Sequence, residues 1–155
     1  MTQTYLPDVN VLLAWVDPGH LGRSVVKTWL SRNKDVKIAF CAHTENGFIR
    51  VLSGTRYPNI QLRPADACRL LADLQQSLGR RLVRWPESLS LTDHSVFDLQ
   101  SLLGANQVTD AFLLGLAHKH HARVVTMDRG MPRQAIRGAT ASMVEVLDIS
   151  KSTGT

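Results

Sequence analysis

Short apolar runs, too brief for helices, alternate along this chain with longer stretches of helical periodicity, and that alternation limits the fold more than any other feature. Strands separated by helices pair in parallel and are covered on both faces, because each crossover must return across the sheet. The first strand is expected over about Thr4 to Pro7, followed by a short apolar helix from about Asn10 to Val16. An amphipathic helix with Val25, Val26, Trp29 and Leu30 on one face comes next. Val36 to Ala42 reads as the second strand, and Thr44 as the cap of a helix carrying Phe48, Ile49, Val51 and Leu52. Pro64 opens the clearest helix, with Ala67, Leu70, Leu71, Leu74 and Leu78 at helical spacing and Gly79 to end it. Leu82 to Trp85 makes a third strand, stopped by Pro86. Asp93 to Leu103 reads as a helix closed by Gly104. Thr109 reads as the cap of a buried helix over Asp110 to Ala117. Arg123 to Met127 and Ser142 to Leu147 are the fourth and fifth strands. The expected architecture is α/β: one domain over residues 1–150 around a mainly parallel sheet of about four to five strands, with a loose tail over residues 151–155.

In such a sheet all strands end at one edge, and ligands bind in the crevice along it. Asp8 follows the first strand and Asp128 the fourth. Glu45 opens the helix after the second strand, and Asp110 opens the helix that leads into the fourth. Each taken alone has an ordinary explanation, since acidic residues suit helix N-termini and turns. Together they share an edge that caps have no need to share. Crowded carboxylates repel one another unless a cation neutralises them. A hard oxygen donor set without an accompanying Cys or His cluster favours magnesium or manganese over zinc.

The rest of the composition fits an acidic substrate. The chain carries 18 basic against 13 acidic residues, and 13 of the 18 are Arg, which suits bidentate phosphate contacts. With four carboxylates committed to metal, the balance elsewhere would be 18 against nine, a surface that attracts polyanions. Arg50, Arg129 and Arg133 are the candidate phosphate contacts near the edge. The N-terminal apolar run is interrupted by Asp8, Asn10 and Asp17, unlike a signal peptide or membrane span, so a cytoplasmic protein is expected. Cys41 and Cys68 then read as buried free thiols. His118, His120 and His121 lie near a helix C-terminus, where cations suit the dipole, and His43 reads as a core residue. Trp15, Trp29 and Trp85 read as core rather than as platforms for bases.

The motifs Pro7-Asp8-Val9-Asn10, Thr44-Glu45-Asn46-Gly47-Phe48-Ile49-Arg50, Thr109-Asp110-Ala111 and Thr126-Met127-Asp128-Arg129-Gly130 resemble those of PIN-domain ribonucleases, closest to the VapC toxin branch. The resemblance runs from Tyr5 to about Val146. It implies a magnesium-dependent endoribonuclease, toxin of a type II toxin–antitoxin pair, usually homodimeric and held inactive by a cognate VapB antitoxin. It also implies in-line phosphodiester hydrolysis that leaves a 5′-phosphate. Asp8, Glu45, Asp110 and Asp128 carry over as catalytic and metal-binding residues, with Asn10 and Thr109 as polar support. Two positions depart from the pattern. Val9 stands where many relatives have Ser or Thr, so a supporting hydroxyl is missing there or comes from Thr109. Arg129 and Gly130 follow Asp128 where some relatives place another acid. Two other functions fit the same residues: a non-catalytic basic RNA-binding or partner-binding domain with a degenerate metal site, and a phosphohydrolase of small esters. The aspartyl-phosphate form of the latter usually needs a second Asp two positions after the first, where this chain has Asn10.

Overall fold

A computed structural model of the chain describes residues 2–150; the tail expected at 151–155 lies outside the described residues. Strands β1 (Thr4–Pro7), β2 (Lys37–Phe40), β3 (Leu82–Arg84), β4 (Arg123–Thr126) and β5 (Val144–Val146) form one sheet in the order β3-β2-β1-β4-β5, every pairing parallel. Five α-helices cover it: α1 (Val9–Val16), α2 (Arg23–Arg32), α3 (Ala42–Leu52), α4 (Pro64–Leu78) and α5 (Val108–Lys119).

The two-residue period of the strands divides the core. Tyr5, Ile38, Phe40 and Val125 face one cluster, which Leu12, Val26, Trp29, Phe48 and Leu71 complete from the first four helices. Leu6, Ala39 and Val124 face the other, filled by Leu113, Leu114 and Ala117 of α5 and by Trp85, Phe97, Met131 and Ile136 from the loops. Helix α1 buries Val11, Leu12, Leu13 and Ala14 in succession, and α5 buries Leu113 through Ala117. Both are apolar on all sides because the sheet and neighbouring elements enclose them.

The expected helix at Asp93 to Leu103 does not form. Asp93 Oδ1 accepts from Ser95 N (3.0 Å) and Asp98 Oδ1 from Gln100 N (3.2 Å), local bonds that compete with helix formation. The segment instead pairs with a later loop, through a bridge between Phe97 and Ile136 and a bond from Arg137 N to Val96 O at 2.9 Å. Only a short 3₁₀ turn, Leu99–Ser101, remains. Phe97 is thereby buried against Gly115 of α5, where any side chain would overlap its ring.

Two expected caps also differ. Cys41, not Thr44, precedes α3; Thr44 lies within it and donates from Oγ1 to Cys41 O at 3.1 Å, while Cys41 N donates back to Thr44 Oγ1 at 3.4 Å. Helix α5 starts at Val108, continuing a 3₁₀ turn at Ala105–Gln107, so Thr109 is inside the helix and exposed. Cys41 is a buried free thiol, but Cys68 is exposed on α4. His43 is likewise exposed rather than in the core. Trp29 and Trp85 are buried and Trp15 is partly so; His120 stacks on Trp85 with ring centroids 4.3 Å apart. Among the described residues, no helix is long and apolar enough to cross a membrane.

Candidate active site

Parallel pairing brings the C-terminal ends of all five strands to one edge. β1 delivers Asp8 there, and β4, its hydrogen-bonded neighbour, delivers Asp128 two residues past its own end. Asp8 caps α1: its Oδ1 accepts from Val9 N at 2.8 Å, and its backbone N–H reaches Val125 O at 2.9 Å. Asp110 lies in the first turn of α5 and Glu45 in the first turn of α3, so three helix N-termini meet at this edge. The partial positive charge of each favours a carboxylate beside it.

Thr126 ties these elements together. Its Oγ1 donates to Asp8 Oδ2 (2.9 Å) and accepts from Asn10 Nδ2 (3.3 Å) and Asp128 N (3.0 Å). Asn10 Oδ1 in turn accepts from Met127 N at 3.3 Å. The supporting hydroxyl missing at Val9 therefore comes from Thr126, not from Thr109, whose side chain makes no hydrogen bond among the described residues. Asp128 Oδ1 accepts from Gly130 N at 2.7 Å, which shapes the turn that presents it. Gln107, just before α5, donates from Nε2 to Gly130 O at 3.2 Å and so fastens the start of α5 to the Asp128 loop.

Asp8, Asp110 and Asp128 are close enough to perturb one another. Burial raises Asp8 above the usual carboxylate range against the hydrogen bonds of Thr126 and Val9, and the charge of Asp128 adds to the rise. Asp110 is pushed up to about 6, by burial first and then by the charges of Asp8 and Asp128. Glu45 is held by a different set of bonds. Its Oε2 accepts from Gln75 Nε2 at 2.6 Å and from Arg84 Nη1 at 3.3 Å, and Gln75 Oε1 accepts from Arg84 Nη2 at 2.8 Å. Three of the four acids thus form a mutually repelling group, and the fourth is held beside them at the β3 end of the edge. Among the described residues, no three His, Cys, Asp or Glu side chains stand close enough to ligate one ion together. The donor chemistry still suits a hard cation of the kind that keeps several waters and takes only one or two carboxylates directly.

The three arginines expected at the edge are dispersed. Arg129 lies there, paired with Asp148 at 2.7 Å and largely exposed. Arg133 is exposed on the 3₁₀ turn Arg133–Ala135. Arg50 is in the last turn of α3, more than a helical turn from Glu45 and away from the edge. The sequence reading gave no role to Thr126, although it opens the fourth motif, nor to Gln107, Gln75 and Arg84. Of these, only Thr126 had a signal of its own, a hydroxyl residue two before the acid at the end of the fourth strand.

No family model matches the chain. Ribonuclease VapC44 of Mycobacterium tuberculosis is 38% identical over 142 residues, covering 92% of this chain and 98% of that protein. Ribonuclease VapC38 of the same organism is 35% identical over 126 residues, covering 81% and 86%. The crystal structure of VapBC2 from Rickettsia felis bound to a DNA fragment from their promoter covers 94% of this chain and 100% of the matched chain, with a TM-score of 0.55 and 14% identity. At that identity the match speaks for the fold. An acid-lined edge on a five-stranded parallel sheet and identity above one third along nearly the whole length agree: the chain belongs to the VapC family of PIN-domain ribonuclease toxins.

Proposed function

We propose that this chain is a magnesium-dependent endoribonuclease, with manganese as an alternative ion, and that it is the toxin of a type II toxin–antitoxin pair. The observation that carries this reading is the convergence of Asp8, Asp110 and Asp128 on one sheet edge, in a chain 38% identical to a ribonuclease over 92% of its length. Asp8 and Asp110 would supply the principal ligands, and Glu45 and Asp128 would complete the shell, directly or through water. When bound, the ion lowers the pKa of a water and offsets charge that develops on the phosphate.

The remaining work falls to the chain's own groups. Thr126 fixes the orientation of Asp8, and Asn10 fixes Thr126, so the carboxylate meets its ligand already placed. Gln107 holds the α5 and β4 portions of the site together. The surplus of arginine draws RNA to the surface. A VapB-type antitoxin is the expected partner, supported by the VapBC2 match; a homodimer is expected from the family resemblance alone.

Purified protein should cut single-stranded or looped RNA with magnesium or manganese, and EDTA should stop it. Asp8→Asn and Asp110→Asn should each abolish cutting while circular dichroism shows an intact fold. Undiminished cutting by both variants would overturn the assignment.

A further inference from the structure

We infer that Arg84 is a phosphate-binding residue for RNA, and that Glu45 and Gln75 form the frame that aims it; this rests on the ribonuclease reading above. Arg84 ends β3 at the same edge as the aspartates, two strands from β1 and so roughly 10 Å along the edge from Asp8. Its side chain is 59% exposed, yet it is not free to wander. Nη1 donates to Glu45 Oε2 and Nη2 to Gln75 Oε1. Gln75 is itself buried, at 5% exposure, and its amide nitrogen closes the triangle on the same Glu45 oxygen.

An exposed ion pair alone would not need a buried amide behind it. Here the amide satisfies both partners and leaves the guanidinium plane one orientation. Three of the five N–H donors of Arg84 have no partner among the described residues. A planar fork already fixed by two acceptors loses little freedom when it meets phosphate oxygens. Arg129, the other arginine placed at the edge, is paired with Asp148 at the opposite side of the sheet. An RNA strand laid across the aspartates would therefore be held at the β3 side by Arg84. Glu45 gains a role besides the one its motif suggests. It is a positioning residue, whose Oε2 serves RNA binding through the guanidinium it orients.

The test is fluorescence anisotropy of a labelled single-stranded RNA oligonucleotide with the full chain in EDTA, where binding is separated from cutting. Arg84→Ala should weaken binding about tenfold, as expected for a charged hydrogen bond lost. It should also shrink the slope of log affinity against log salt by about 0.7, the loss of one phosphate contact. Arg84→Lys should restore the slope but only part of the affinity. Glu45→Ala is the sharper variant. By charge alone it should tighten RNA binding; on this inference it should weaken it several-fold, and Glu45→Gln should restore it, since one amide oxygen can accept both bonds. An unaltered salt slope in Arg84→Ala, or tighter RNA binding by Glu45→Ala, would overturn the inference. Wild type that binds RNA with the expected slopes but never cuts it would leave Arg84 in place and remove the nuclease reading instead.

Discussion

Replacing Asp110 with Asn should make the metal-free protein more stable near neutral pH, although it removes a residue at the heart of the site. The folded state raises this carboxyl from 3.8 to about 6, through burial and then the charges of Asp8 and Asp128. A shift of that size corresponds to ~3 kcal/mol between the two protonation states. Solvent reaches the half-buried side chain and screens it, which leaves about 1–2 kcal/mol. For a chain of this length that is a rise in melting temperature of ~2–8 °C. The sign follows from proton binding: the folded state holds the Asp110 proton more tightly than the unfolded state does. Wild type should therefore gain from this group as pH falls from about 6 toward 3.8, with little change from it above 7. The Asn variant has no such gain, so its advantage should be largest at pH 7.5 and roughly halve by pH 5. Thermal melts of both proteins in EDTA across that range measure it. A variant less stable than wild type at pH 7.5, or an advantage equal at both ends, would refute the crowding of these carboxylates.

Other outcomes can be checked alongside. Adding magnesium should raise the melting temperature of wild type, because an ion bound only by the folded state stabilises it, and should do little for Asp110→Asn. Thr126→Val removes a hydroxyl that bonds Asp8, Asn10 and Asp128 N; it should cost about 1–3 kcal/mol in melts and depress cleavage, since Asp8 loses its orienting donor. Gly115→Ala places a methyl in the Phe97 ring and should destabilise by about 1–3 kcal/mol, read by denaturant midpoint, with the metal response retained. Co-expression with the product of an adjoining antitoxin gene should yield a complex that does not cut RNA, with a basic partner side chain against the acidic edge; free toxin activity in that mixture would count against the pairing.

How much could be read from the chain depended on whether the cause was local. Strand and helix order came from periodicities carried by each segment, such as Leu70, Leu71, Leu74 and Leu78 in α4, and the structure follows them. The edge positions of Asp8 and Asp128 required only that parallel strands end together. The 93–103 segment was misread because its apolar residues fit a helical pattern, while the pairing of Phe97 with Ile136 that decides its shape is made 39 residues away. Glu45 was placed at the correct helix start, but its bonds to Gln75 and Arg84 join three separate elements and leave no mark in its own neighbourhood. Arg50 was misplaced for a simpler reason: it follows Glu45 by five residues, and a helix carries that interval down its axis rather than along the edge.

The pairing of β1 with β4 joins Tyr5 to Arg123 and bonds Asp8 to Thr126, across 118 positions in each case. On the proposed function, the first acid of the site, Asp8, is synthesised 120 residues before the last, Asp128. A chain cut short before Thr126 lacks both the β4 hydroxyl and the final acid, however well its first four helices pack. On that function, the order of residues leaves any product that stops before Asp128 without the complete site that would cut RNA.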